Sequence, residues 1–390
     1  MKIGVAGPFN PQTVAEYFDS NTKLPDINKM ATSVNAYVKG LIELGHFVTV
    51  FTTYSFEGEP YYVDGKNIRI YFISTQFKIH ALGRLRMAKK IRKCIEKSVN
   101  SLDILHAEWT YEFALAIKPF YKKMPLFCSV RDWAPYILSL AKKSSGRYYW
   151  VLSYYIFRKV MRGDKIHFIA NSEYTKRQIL SEYPDKKVDI IPNPLDEKNI
   201  LHKREEYPKY PVFISISTSP FTVRKNNTIL LKAFSRYKKN NQDAKLIVVG
   251  TFSEEIREEL KSQNLLEGVE LTGSVSHDEV ISLIDRATIL IHPALEETFG
   301  NILLEGMCRK VLCIGGESSG AVPQVLGYGK YGILCDVKSE ESIVQAMEKA
   351  NDAELFKKIT DDATKYIIRE FTEKTVAQKH INLFSGFLKG

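Results

Sequence analysis

Apolar strand-like runs and amphipathic helical patterns alternate along almost all of this 390-residue chain. No other feature restricts the possible folds as much. Runs at 2–7, 47–53, 68–74, 103–107, 125–130, 166–171 and 188–191 read as strands, with helical patterns at 28–44, 82–101 and 173–182 among them. The second half repeats the scheme, with strands at 211–217, 244–250, 269–272, 287–293, 311–315 and 332–335. Such alternation predicts parallel sheets covered by helices on both faces. The length is comfortable for two domains of roughly 200 residues each. Between the halves, NPLDEKNILHKREEYPKYP (193–211) is polar, charged and proline-punctuated, as an interdomain linker would be. The expected fold class is α/β, two doubly wound domains facing each other across a cleft. In such sheets ligands bind beyond the carboxyl ends of the strands.

Charge divides the chain unevenly. Residues 1–200 hold 30 Lys+Arg against 19 Asp+Glu, whereas residues 201–390 hold 25 against 26. Within the first half, 78–165 alone has 19 basic and 6 acidic side chains. A one-sided field of this kind calls for an anionic partner on the N-terminal half only. In 83–102, Leu85, Ala88, Ile91, Ile95, Val99 and Leu102 form a helical apolar stripe, with Arg84, Arg86, Lys89, Lys90, Arg92, Lys93 and Lys97 around it. With the aromatic-basic stretch at 147–162, this suits an anionic membrane surface contacted through 82–102 and 147–162. A nucleic-acid binder is the competing reading of a pI near 9.1. It is disfavoured because no nucleic-acid module motif appears and the basic excess is confined to one half.

The five cysteines (94, 128, 308, 313, 335) are odd in number and include no CxxC pair, so a reducing cytoplasm is expected and a zinc site is not. The opening MKIGVAGPF reads as a first strand rather than a secretion signal. The most apolar later run, 148–157, is about half the roughly 20 residues of a spanning helix. A cytoplasmic protein, peripheral on the inner face of the cell membrane, is the expectation.

Chemistry concentrates in ALEETFGNILLEGMCRKVLCIGG (294–316). Glu297 and Glu305 stand with seven residues between them, Phe299-Gly300 lies in that interval, and apolar strands flank the segment. The pattern reads as strand, tight loop, helix, strand. Gly300 lets the backbone approach a ligand at the helix N-terminus. Glu305 is expected about two turns into the helix, roughly 12 Å beyond Glu297 at 1.5 Å per residue. That span suits a ligand with a polyol at each end and a charged middle.

This segment closely resembles the donor-binding signature of the family-4 retaining glycosyltransferases of GT-B fold. The resemblance covers essentially the whole chain and is strongest over 211–336. It implies an N-terminal acceptor-side domain (1–200), a nucleotide-sugar-binding domain (201–370) and a terminal helix (371–390) that returns to the N-terminal domain. By position, Glu297 would hold hydroxyls of the transferred sugar and Glu305 the ribose, with Glu296 a decoy. Backbone N–H groups after Phe299-Gly300, at Asn301, would face the sugar and diphosphate. Lys225 falls where the family places its phosphate-binding lysine. Thr218 and Ser219 stand where relatives have an arginine, and Arg224 is the substitute. Backbone groups at Gly273, Ser274 and Val275 would meet the nucleobase. Gly320, in a loop that closes over the donor in the family, is a weaker candidate that an ordinary turn would equally explain.

The N-terminal half departs further. His106 ends a strand and could hold the acceptor. Many relatives have His-Asp where this chain has Arg131-Asp132, and arginine cannot accept a proton at neutral pH. Arg131 would then hold the leaving phosphate or a charged acceptor, with Asp132 orienting it. Relatives often have a Gly-Gly pair where this chain has Met30-Ala31-Thr32. The implied activity is retaining transfer of a hexosyl group from a nucleoside diphosphate sugar to a saccharide or lipid-linked saccharide, in cell-surface polysaccharide synthesis. No Asp-x-Asp is present, so no metal and no cofactor beyond the donor is expected. A GT-B nucleotide-sugar epimerase or hydrolase is the alternative on the same fold.

Overall fold

The computed structural model describes residues 1–27, 31–75, 81–140, 145–201, 204 and 208–388. Two compact units emerge: Met1–Asp196 with the segment from Thr372, and Glu197–Phe371. The break thus falls inside the charged, proline-rich stretch at 193–211.

In the first unit the elements run β1 (Lys2–Ala6), α1 (Thr32–Glu43), β2 (Phe47–Tyr54), β3 (Tyr61–Gly65), β4 (Ile68–Ser74), α2 (Ala81–Glu96), β5 (Ile104–Glu108) and α3 (Glu112–Ile117). They continue with β6 (Leu126–Val130), α4 (Ala134–Leu140), α5 (Ser145–Met161), β7 (His167–Ala170), α6 (Glu173–Glu182) and β8 (Val188–Ile190). The sheet order is β3-β4-β2-β1-β5-β6-β7-β8. All pairings are parallel except β3 against β4. The central strands are buried along their whole length, which is why they read as unbroken apolar runs rather than alternating ones.

The edge strand β3 escapes the sequence reading. Its YYVDG is mostly exposed, so no apolar run announces it. The Arg69–Asp64 pair at 2.6 Å, in register across the hairpin, helps hold it. Helix α1 begins at Thr32 rather than at 28, and Met30 lies outside the described residues.

In the second unit the elements are β9 (Val212–Ile216), α7 (Asn227–Lys238), β10 (Lys245–Val249), α8 (Glu254–Ser262), β11 (Val269–Gly273), α9 (His277–Arg286), β12 (Ile289–His292) and α10 (Asn301–Cys308). They are followed by β13 (Leu312–Gly316), α11 (Val322–Val325), β14 (Ile333–Cys335), α12 (Glu340–Lys349) and α13 (Ala353–Glu370). The all-parallel order β11-β10-β9-β12-β13-β14 reverses direction between β9 and β12. In an open α/β sheet that reversal opens a crevice at the carboxyl ends of the two strands. Phe213, Phe234, Tyr237, Leu246 and Ile291 anchor the core beneath it.

The terminal helix α14 (Glu373–Leu388) packs on α1 of the first unit. A glycine there is a steric requirement: a Cβ at Gly40 would come within 2.3 Å of the Glu373 carbonyl oxygen. Lys39 bridges Asp196 at 3.3 Å and the buried Glu373 at 3.2 Å, tying the end of the unit's first segment to the start of its last. Among the described residues, no helix is long and apolar enough to cross a membrane.

Candidate active site

The loops after β9 and β12 flank the reversal in the second sheet, and they carry the charged groups singled out above. Asn226, in the left-handed region at φ 57°, caps α7. Its side-chain amide donates to the carbonyls of Pro293 (3.2 Å) and Val337 (2.8 Å). The Leu295 amide donates to the Arg224 carbonyl at 2.8 Å. These bonds fix the basic loop against the acidic one.

Glu297 is the centre of the resulting cluster. Its Oε1 accepts from Lys225 Nζ, lies 3.5 Å from Arg224 Nη1 and accepts from His292 Nε2 at 3.2 Å. Burial alone would raise the Glu297 carboxyl. The His292 hydrogen bond and the charges of Lys225 and Arg224 outweigh it and hold that carboxyl well below the usual carboxylate range. Burial lowers His292 in turn, against the pull of Glu297, so the ring stays neutral and donates. His292 is the last residue of β12 and was missed in the sequence, where it passes for one more member of a buried strand. Glu296 is also buried, with Arg224 Nη1 donating to its carbonyl at 3.1 Å.

Gly300 caps α10 at φ 92°, and Phe299 before it is buried against Phe371 with ring centroids 6.1 Å apart. Phe299 therefore contributes an anchor for the loop, and only its backbone is available to a ligand. Residue 301 starts the helix, so Glu305 sits about one turn in, not two. Glu305 Oε1 lies 3.3 Å from His277 Nε2, at the start of α9. That hydrogen bond raises the His277 pKa, more than burial lowers it, with further support from the charges of Glu305 and Asp278. His277 is a second residue missed in the sequence. It follows Ser276, whose reciprocal capping box with Glu279 accounts for the motif on local grounds alone.

Gly273 ends β11 at φ 78°, and the following Ser274 is exposed with Val275 partly so, leaving that backbone open. Gly320 has a packing role: a Cβ there would come within 2.3 Å of the Glu297 carbonyl, which accepts from the Ala321 amide at 2.9 Å.

In the first unit, one expectation needs correction. His106 is fully buried on β5. Its Nδ1 pairs with Tyr37 Oη at 2.8 Å and its Nε2 with Ser129 Oγ at 2.9 Å. Burial and the nearby Arg131 charge push its pKa down to about 3. It is a neutral core residue and does not face an acceptor. Arg131 is oriented by the fully buried Glu108 (2.5 Å) and by Asn193, while Asp132 accepts from Tyr111 at 3.1 Å. The guanidinium is largely buried, with only 6% of its side chain exposed, as its pairing with a buried carboxylate demands.

The sequence pattern of the family described as "Glycosyltransferase Family 4" matches residues 30–199, and that of "Glycosyl transferases group 1" matches 196–367. The chain belongs to the group 1, family 4 glycosyltransferases, with two Rossmann-like domains of the GT-B type. It is similar to an uncharacterized glycosyltransferase of Methanocaldococcus jannaschii, 25% identical over 354 residues, covering 90% of this chain and 93% of the relative. It is also similar to the N-acetyl-alpha-D-glucosaminyl L-malate synthase of Bacillus anthracis, at 26% over 215 residues, 53% of this chain and 55% of that protein. The chain thus spans about half the length of that relative. Among solved structures, Anabaena Alr3699/HepE in complex with UDP superposes with a TM-score of 0.69 at 14% identity, covering 99% of this chain and all of the other. In this glycosyltransferase Arg224, Lys225, Glu297 and Glu305 all belong to the second unit, on the loops after β9 and β12 and on α10.

Proposed function

We propose that this glycosyltransferase moves a hexosyl group from a nucleoside diphosphate sugar to a saccharide or lipid-linked saccharide, with retention and without metal, in cell-surface polysaccharide synthesis. The observation that carries the donor assignment is the Lys225–Glu297–Arg224–His292 cluster at the sheet reversal, with the Glu305–His277 pair on the helix that follows. Glu297 is the counter-ion of two cations. An incoming diphosphate supplies the same negative charge to Lys225 and Arg224, which frees the carboxylate to accept hydroxyls of the sugar. Glu305 accepts from the ribose hydroxyls. The N-terminus of α10, entered through Gly300, favours the phosphate charge through the helix dipole.

Catalysis then rests on stabilising the leaving diphosphate. Lys225 and Arg224 meet the charge that develops as the sugar–phosphate bond breaks, in a largely buried setting where such contacts count for more than in water. Glu297 keeps the sugar in place, and His292 keeps Glu297 in place. Arg131, already committed to Glu108 and Asn193, shapes the acceptor-side unit rather than accepting a proton. Thermal shifts against a panel of nucleotides and nucleotide sugars test the reading. A ligand at 100 times its dissociation constant adds about 2.7 kcal/mol of stability. Nucleotide release that needs no saccharide acceptor would instead identify the epimerase or hydrolase chemistry open to the same fold.

A further inference from the structure

Helices α2 and α5 lie side by side on one face of the first sheet and share one core. Met87, Ile91, Cys94 and Ile95 of α2 and Ile156, Phe157, Val160 and Met161 of α5 are all buried there. Arg84 of α2 is inside too, bonded to Tyr149 of α5 and paired with Glu112 at 2.6 Å. It belongs to the scaffold, although the sequence had put it on the basic surface. Lys90 and Arg92 likewise reach back to the carbonyls of Ser74 and Leu115, both at 3.3 Å.

The outward residues are a different set. On α2 and the turn after it, Arg86, Lys89, Lys93 and Lys97 are exposed at steps of three and four, one row along the helix. On α5, Tyr148 (82% exposed), Val151 (47%) and Tyr155 (59%) form a row of the same spacing. Exposed Arg147, Arg158, Lys159 and Arg162 flank it. Glu96 is the single acid in the sequences of the two helices. A face built only to be solvated has no need of apolar groups aligned in a row, and a core-facing row would be buried.

We propose that this face docks on an anionic lipid surface. Tyr148, Val151 and Tyr155 enter the headgroup region, where tyrosine's apolar ring and polar tip are both accommodated. The cations beside them meet the lipid phosphates, each strengthening partitioning about fivefold near an anionic bilayer. The helices lie in the interface plane and do not cross it. This deepens the lipid-linked acceptor reading by naming the surface that would bring the enzyme to such a substrate.

Vesicle co-sedimentation of the full chain decides it, using phosphatidylcholine alone and an equal mixture with phosphatidylglycerol. The wild type should sediment with the mixture at low salt, release as salt rises, and ignore phosphatidylcholine. Lys89→Glu with Lys93→Glu should lower low-salt partitioning at least about 25-fold, two cations at about fivefold each. Tyr148→Ser with Tyr155→Ser should weaken binding at every salt concentration, and Tyr148→Ser alone should do so to a lesser degree. Lys357→Glu with Lys365→Glu, on exposed cations of the other unit, should sediment like the wild type. Wild type left in the supernatant at low salt overturns the proposal. So does unchanged binding in all the α2 and α5 variants, or capture of a soluble protein by this face while vesicles are ignored. No arm uses transfer activity, so failure here is separable from failure of the transferase assignment.

Discussion

Glu297 carries a charge that His292, Lys225 and Arg224 hold in place. Its folded-state carboxyl titrates below its ordinary 4.5. The stability it contributes is therefore complete above that pH and is lost as pH falls toward the folded value. Glu297→Gln should destabilise the protein by about 1–3 kcal/mol at neutral pH, as for losing the charged partner of buried donors. The gap from wild type should close in melts below about pH 4.5. His277 has the opposite sign. Its pKa is raised above 6.5 by Glu305, so its contribution is present below that value and fades as pH rises through the folded one. His277→Gln should therefore differ from wild type more at about pH 5.5 than at about pH 8.5. A gap that widens with pH would mean that the His277–Glu305 bond does not hold in solution.

At the scale of elements, the site depends on two backbone positions. Gly300 at φ 92° caps α10, and Ala there should cost about 1–2 kcal/mol, the penalty of left-handed backbone with a Cβ. Gly320 supports the Glu297 backbone at φ 64°, so Gly320→Ala should lower turnover by displacing that loop. Nucleotide affinity, set by Glu305 on α10, should be nearly kept. Equal loss of turnover and affinity would place the Gly320 loop in nucleotide binding itself. These elements were legible because a buried parallel strand and an amphipathic helix write different periods into the chain. The parallel strands in both halves all correspond to apolar runs read from the sequence. The antiparallel edge strand β3 did not, because it is short, mostly exposed and holds a single aliphatic residue, Val63. The acidic pair was singled out by its spacing and Lys225 by the family resemblance, and the structure brings Lys225 onto Glu297. His292 and His277 were not singled out, since one closes a buried apolar strand and the other sits within a complete capping box. His106 misled for the converse reason: read as ending its strand, it lies in the middle of β5 beneath Tyr37 of α1 and Phe384 of α14.

For the whole molecule, a diphosphate leaving group held by cations should need no divalent ion. Transfer should persist in excess chelator, while Lys225→Ala should slow it on the order of 100-fold, as for loss of a leaving-group stabiliser. Activity that vanishes with chelator and returns with magnesium or manganese would refute that arrangement. The central claim is narrower: the crevice at the reversal of the second sheet is a nucleoside-diphosphate site whose two glutamates have separate tasks. Titration calorimetry of the nucleoside diphosphate product against wild type, Glu305→Ala and Glu297→Ala tests it most directly. Glu305→Ala should bind at least about tenfold more weakly, the loss of about 1.4 kcal/mol expected when ribose hydroxyls lose a charged acceptor. Glu297→Ala should bind nearly as tightly as wild type while transferring sugar slowly. Equal loss of affinity in both variants, or wild-type affinity in Glu305→Ala, would contradict the account.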